Sequence, residues 1–121
     1  MEKPFEWLHS FLSERTNCVV FGTSRSAWVP APFGVPQGSV LGPLLYIIYT
    51  SGIGPLLSFY GLLHQLYADD VQAYTHCFSD SALAATQLMC RAMDALAGWL
   101  ASNHLLLNTA KTQFIWLGAR S

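Results

Sequence analysis

"QLYADDVQAY", Gln65–Tyr74, holds the only adjacent acids in the chain, Asp69 and Asp70. They close a stretch in which residues 26–68 carry no Lys, Arg, Asp or Glu. Side chains alternate between faces along a strand, so neighbouring acids can share a site only where the chain bends. "HQLYADDVQAY" (64–74) therefore reads as a β-hairpin with the acids at its bend. There the pair is either a solvated turn or a site for a hard cation such as Mg²⁺, which prefers oxygen ligands and keeps several waters. An aromatic and a small residue, Tyr67 and Ala68, precede the pair, and apolar strands flank it. Carboxylates held on buried strands are costly unless a cation neutralises them.

Upstream, Phe5, Leu8, Phe11 and Leu12 fall at helical spacing within residues 4–13. "NCVVFG" (17–22) reads as a strand closed by Gly22, with "AWVPA" (27–31) as its partner and "TSRS" turning between them. "PFGVPQG" (32–38) is a loop, and Ser39–Thr50 an apolar helix that tolerates Pro43 only near its first turn. "SGIGP" (51–55) stops it. Downstream, "SDS" (79–81) offers caps for a helix whose face is Ala85, Leu88, Met89, Ala92, Leu96, Trp99 and Leu100, ending at Asn103. "HLLLN" (104–108) and "TQFIWLG" (112–118) read as two strands joined through "NTAK" (108–111). Helices mixed with antiparallel strands imply an α+β fold.

The 121 residues allow at most one domain. The chain is 52% hydrophobic and only 11% charged, against about 25% charged in ordinary domains. So little charge leaves a poorly solvated surface, which argues for a covering partner. A net charge of −1 and a pI near 6.4 argue against autonomous nucleic-acid binding, which needs a basic excess. Cys18, Cys77 and Cys90 are odd in number and lack C-x-x-C spacing, so they read as buried small hydrophobes in a reducing compartment. The start, with an acid at position 2 and no apolar core, is not a signal peptide. Residues 40–63 are uncharged and long enough to span a bilayer, but "SGIGP" divides them and neither side carries a basic flank. No membrane association is expected.

Two further segments carry chemical potential. In "GVPQGSVLGP" (34–43), Pro36 stiffens the loop, Gly34 and Gly38 allow close backbone approach, and Gln37 both donates and accepts hydrogen bonds. It is either a plain connection or a contact for phosphate or sugar at a helix start. In "LNTAKT" (107–112), Lys111 is one of only two lysines. It is either a surface residue or a cation for a phosphate.

Taken in order and spacing, "GVPQGSVLGPLLY", "YADD" and "LNTAKTQFIWLG" resemble the central part of the reverse transcriptase domain of non-LTR (LINE-type) retrotransposons. "WLHSFLSERTNCVVFGTSRS" (7–26) is similar to the stretch preceding that family's proline-glutamine-glycine motif, so the resemblance runs from about residue 7 to 118. It implies that residues 1–121 are a partial polymerase palm, antiparallel strands with packed helices. The piece would run from after the first catalytic-aspartate motif to the lysine motif, without fingers or thumb. It also implies RNA-directed DNA synthesis with RNA template, DNA primer and dNTP, and two divalent ions, Mg²⁺ with Mn²⁺ as the alternative, roughly 3.5–4 Å apart. By the same resemblance Asp69 is a metal ligand and Asp70 its neighbour or second ligand. Tyr67 and Ala68 lie beside the primer end and incoming nucleotide. Gln37 and Gly38 touch nucleotide and template, and Lys111 assists the departing pyrophosphate.

The chain departs from the pattern in one respect that matters. The family places another aspartate before the proline-glutamine-glycine loop, and here the only acids before Asp69 are Glu2, Glu6 and Glu14. None sits where it can substitute. The expectation is therefore a partial site, inactive as an isolated chain and dependent on the remainder of a polymerase. Readings from other classes are a non-catalytic remnant that binds a protein partner, or a small membrane protein using residues 40–63.

Overall fold

The computed structural model describes residues 3–118 and arranges the chain as two units, residues 1–48 and 49–121. Glu2 and the final residues 119–121 of "LGARS" lie outside the described residues.

In the first unit, the helical spacing of Phe5, Leu8, Phe11 and Leu12 yields α1 (Lys3–Leu12). Trp7 and Phe11, four residues apart, stack with ring centroids 5.9 Å apart. Glu14, at φ 54°, turns the chain out of the helix. An antiparallel ribbon follows, in which β1 (Thr16–Asn17) pairs with β4 (Val29–Pro30) and β2 (Val20–Phe21) pairs with β3 (Ser24–Arg25).

The bend of this ribbon is Gly22–Thr23 rather than "TSRS", because Gly22 takes φ +58° without strain and Ser24–Arg25 are thereby drawn into the strand. Between the pairs Asn17↔Val29 and Val20↔Arg25, one strand carries Cys18 and Val19 and the other Ser26, Ala27 and Trp28. That extra residue is a bulge. Ser26 still faces Val19, its Oγ accepting from Val19 N–H at 2.9 Å and its own N–H donating to Val19 O at 2.9 Å, so the extra residue falls at Ala27–Trp28 opposite Cys18.

The helix expected from Ser39 begins later, as α2 (Gly42–Tyr49). Ser39 stands outside it as a cap, its Oγ accepting from Gly42 N–H at 3.0 Å. Pro43 lies in the first turn, where its missing N–H has no intrahelical partner to lose.

The second unit contains α3 (Ile53–Phe59), β5 (Leu63–Tyr67), β6 (Asp70–Tyr74), a 3₁₀ turn at Ser79–Ser81 and α4 (Ala82–Ser102). "SGIGP" ends one helix as expected but also starts another: Pro55 sits in the first turn of α3, again where no donor is lost. α3 and α4 both end in a Schellman closure. After α3, Gly61 at φ +69° donates to Ser58 O and Leu62 to Leu57 O. After α4, His104 at φ 53° donates to Ala101 O and Leu105 to Leu100 O. Both closures fold an apolar residue, Leu62 or Leu105, back onto the core.

That core is Ile53 and Leu57 of α3, Leu62, and Ala92, Leu96 and Leu100 of α4. The α4 residues recur every four positions, which is the apolar face read from the sequence. Leu57 and Leu96 are fully buried, each worth about 1.5–3 kcal/mol relative to exposure.

Four expectations are corrected. Residues 104–108 and 112–118 form no strand. The Leu105 amide is consumed closing α4, and the amides of Lys111 and Thr112 both donate to Asn108 O, so local bonds replace a ladder in the first segment and the joining turn. No described strand pairs with 112–118. Ser81 does not cap α4 through its side chain; its N–H closes the 3₁₀ turn on Phe78 O at 3.0 Å and its hydroxyl donates to the same oxygen at 3.1 Å. The cysteines are not buried: Cys77 and Cys90 are exposed and Cys18 is half-buried.

The apolar stretch Gly42–Phe59 is long and apolar enough to cross a membrane by composition. It is nevertheless two helices of eight and seven residues, about 12 and 10 Å long against a hydrocarbon core of about 30 Å. The architecture is mixed helix and short antiparallel strands, as a partial α+β palm requires.

Candidate functional site: an acidic hairpin and a glycine-proline loop

The hairpin is built as its sequence dictates. β5 and β6 pair in the register Leu63↔Tyr74, His64↔Ala73, Gln65↔Gln72, Leu66↔Val71 and Tyr67↔Asp70, leaving Ala68 and Asp69 as a two-residue turn. Period-two alternation then sorts the side chains. His64, Leu66, Val71 and Ala73 share one face; Gln65, Tyr67, Asp70 and Gln72 share the other.

The first face docks on α3, where His64 lies against Gly54 so closely that a Cβ there would meet His64 Nε2 at 3.1 Å. His64 Nδ1 is buried without a hydrogen-bond partner. The second face is open, and Tyr67, Asp69 and Asp70 are all exposed on the hairpin. The structure therefore brings Tyr67, Ala68, Asp69 and Asp70 together at one end of one ribbon, as the hairpin reading requires.

Ala68 stands at φ 51° while Asp69 does not have positive φ. Positive φ at the first turn position alone is the pattern of a type II′ turn, which ordinarily takes glycine there. Alanine in that place is strained, and the strain lies between the aromatic and the acids.

Neither carboxylate has a hydrogen-bond or ion-pair partner among the described residues. Their exposure removes one argument for a cation, because they are not desolvated by burial. What remains is chemistry: two adjacent carboxylates with all their oxygens free suit a hard cation that retains its waters. No group of three or more His, Cys, Asp or Glu among the described residues could hold a metal. As a donor set the pair is thus partial. Glu6 lies exposed on α1 and Glu14 is exposed beyond it.

Lys111 sits exposed in a turn whose head is Asn108. Asn108 O accepts from Lys111 N–H at 3.1 Å and Thr112 N–H at 3.0 Å, and its Oδ1 accepts from Lys111 N–H at 3.3 Å. The ammonium itself has no partner among the described residues.

In the first unit, Gln37 and Gly38 are the central residues of a β-turn closed by Ser39 N–H donating to Pro36 O at 3.2 Å. Gly38 has φ +78°, the requirement of a type II turn at that position. Both residues are exposed. The segment before them is tied down by Arg15, whose Nε donates to Leu12 O at 3.0 Å and whose Nη2 donates to Phe33 O at 3.0 Å and to Gly34 O. Reading the sequence did not single out Arg15. Its signal was there to be used: it is one of two cations just before the long uncharged run.

The chain matches the family model of reverse transcriptase (RNA-dependent DNA polymerase) over residues 1–120. It is 37% identical over 107 residues to the RNA-directed DNA polymerase from mobile element jockey of Drosophila melanogaster, a match covering 84% of this chain and 12% of that protein. The jockey polymerase of Drosophila funebris is 33% identical over 112 residues, covering 88% of this chain and 12% of the relative. The probable RNA-directed DNA polymerase from transposon X-element of Drosophila melanogaster is 44% identical over 69 residues, covering 55% and 8%. No solved structure matches. The chain thus spans only about an eighth of the length of the jockey relatives. Reverse transcriptases generally use divalent metal ions and act on a nucleic-acid template and nucleotides. The chain belongs to the reverse transcriptase family, among the RNA-directed DNA polymerases of non-LTR retrotransposons.

Proposed function

We propose that residues 1–121 serve as the central palm segment of an RNA-directed DNA polymerase, from after the first catalytic-aspartate motif to the lysine motif. The observation that carries this reading is the hairpin end: two unpartnered, exposed carboxylates beside Tyr67 and a strained Ala68, in a chain of this family. In this role Asp69 is a metal ligand and Asp70 its second ligand or support. Bound Mg²⁺, or Mn²⁺ in its place, supplies charge that stabilises the attacking and leaving oxygens of nucleotidyl transfer.

Tyr67 and Ala68 then face the primer end and the incoming dNTP, and Gln37 and Gly38 the nucleotide and RNA template. Lys111 offers a free ammonium to the departing pyrophosphate. Two carboxylates do not complete a two-metal site, so the reading assigns the third carboxylate and the basic nucleic-acid contacts to other parts of a polymerase. The exposed apolar side chains fit that dependence; Val40 is 95% and Leu117 89% exposed.

Primer extension on an RNA template with Mg²⁺ tests the reading in two forms. The isolated chain should give little or no product. A jockey-type polymerase carrying residues 1–120 in place of its own matching stretch should extend the primer, and Asp69→Asn should reduce that by about 10³-fold, the loss of several kcal/mol of metal-borne stabilisation. Undiminished synthesis with Asp69→Asn overturns the assignment.

A further inference from the structure

We propose that Arg15 is a positioning residue that fixes the loop bearing Gln37 and Gly38, so that the loop meets its ligand already shaped. The guanidinium makes three bonds, and all go to backbone carbonyls: Leu12 O at the end of α1, and Phe33 O and Gly34 O at the start of the loop. It thereby joins these two segments through one side chain. The backbone prepares the reach, since Ala31 N–H donates to Arg15 O at 2.7 Å and continues the β1–β4 ladder to the point where the loop departs.

Gly34, at φ +77°, then turns the chain, and the carbonyls on either side of that bend accept from the single nitrogen Nη2. A left-handed residue is what such convergence of successive carbonyls needs, and glycine adopts it without strain. From this anchor the chain runs through Pro36, whose ring fixes its own φ, into the type II turn of Gln37 and Gly38 and the Ser39 cap of α2. Arg15, Thr16 and Asn17 on one side and Phe33, Pro36 and Gln37 on the other line a single cleft. Lysine cannot replace this arrangement. Its ammonium is a point charge, whereas arginine presents Nε and Nη2 in a fixed fork to carbonyls from separate segments.

The inference rests on the polymerase reading only for what the loop touches; the anchoring itself is a property of the chain. Hydrogen–deuterium exchange on the full 121-residue chain tests the anchoring without reference to activity. Arg15→Met and Arg15→Lys should each speed exchange in peptides covering residues 32–42 at least tenfold, leaving α4 unchanged as the internal control. Unaltered loop exchange, equal acceleration in α4, or a loop already unprotected in the wild type each overturns the proposal.

The jockey-type polymerase carrying this segment supplies the second readout. Arg15→Met should raise the nucleotide KM about tenfold with little change in kcat, as should Gln37→Ala, and the double variant should do no more than either. Additive losses, or a loss confined to kcat, overturn the positioning role. Absence of synthesis with the wild-type segment sinks the polymerase reading instead, and the exchange result still decides the role of Arg15.

Discussion

Tyr67 and Asp70 face each other as the last pair of the β5–β6 ladder, which leaves Ala68 and Asp69 alone to reverse the chain. A two-residue reversal fixes where both acids sit: Asp69 within the bend, Asp70 on the open face beside Tyr67. It also forces Ala68 to φ 51°.

The strain at Ala68 predicts that Ala68→Gly stabilises the hairpin. A non-glycine residue in the left-handed region costs about 1–2 kcal/mol, and glycine returns about 0.5–1 kcal/mol of that as lost chain entropy. The net gain should be about 0.5–1 kcal/mol, seen as a thermal midpoint several degrees higher. Ala68→Val, β-branched at the same φ, should lower it. A midpoint that does not rise with glycine means the turn is not strained in solution.

The partnerless carboxylates predict stabilisation by divalent cation. If Mg²⁺ binds the folded hairpin, the chain gains about 1.4 kcal/mol at ten times the dissociation constant. Asp69→Asn and Asp70→Asn should each weaken the shift and the double variant should abolish it, while all three remove like-charge repulsion and are neutral or slightly stabilising without Mg²⁺. Calorimetry with and without Mg²⁺ reads both effects. A full shift retained by the double variant places the cation elsewhere.

The hairpin, α1 and α4 were legible because each rests on a local pattern: alternation about a bend, or apolar residues every three to four positions. The lost strands at 104–108 and 112–118 share the opposite cause. Their composition is strand-like, but a strand exists only through a neighbour's ladder, and composition says nothing about whether one is present. α3 was missed because Gly52, Gly54 and Pro55 read as breakers; the structure uses them in a cap and a first turn, where breakers are harmless. At the candidate site the acidic pair and the glycine-proline loop stand out by residue type, but the roles proposed for Asp69, Asp70 and Gln37 come from the family resemblance. Arg15 does not stand out, since its role depends on carbonyls 18 and 19 residues away.

The second unit depends on few buried side chains, so truncating them should be severe. Leu57→Ala and Leu96→Ala remove fully buried leucines from facing helices, and each should cost about 2–5 kcal/mol in urea unfolding. Leu106→Ala, at a residue 93% exposed, should stay within about 0.5 kcal/mol of wild type. Equal losses at all three positions would mean that the buried cluster is not the structural centre of this unit.

Two glycines at the start of α3 should respond differently to the same added methyl group. At Gly52, a Cβ would lie 2.8 Å from Trp99 Cζ2 and 3.1 Å from Cε2, against the body of a ring already packed on the core. Gly52 has φ −72°, so backbone strain plays no part and the cost is steric. Gly52→Ala should therefore destabilise by about 1–3 kcal/mol, the range for overpacking. At Gly54 the nearest atom is His64 Nε2 at 3.1 Å, so the ring need yield only a few tenths of an ångström. Against that stands a helix-propensity gain of up to about 1 kcal/mol for alanine. Gly54→Ala should fall within about 1 kcal/mol of wild type. Urea unfolding of the two variants orders them directly, and a Gly54→Ala loss exceeding that of Gly52→Ala would show that His64, not Trp99, is the rigid neighbour of α3. In that event the acidic hairpin, which docks through His64, is held more tightly than its exposed strands suggest.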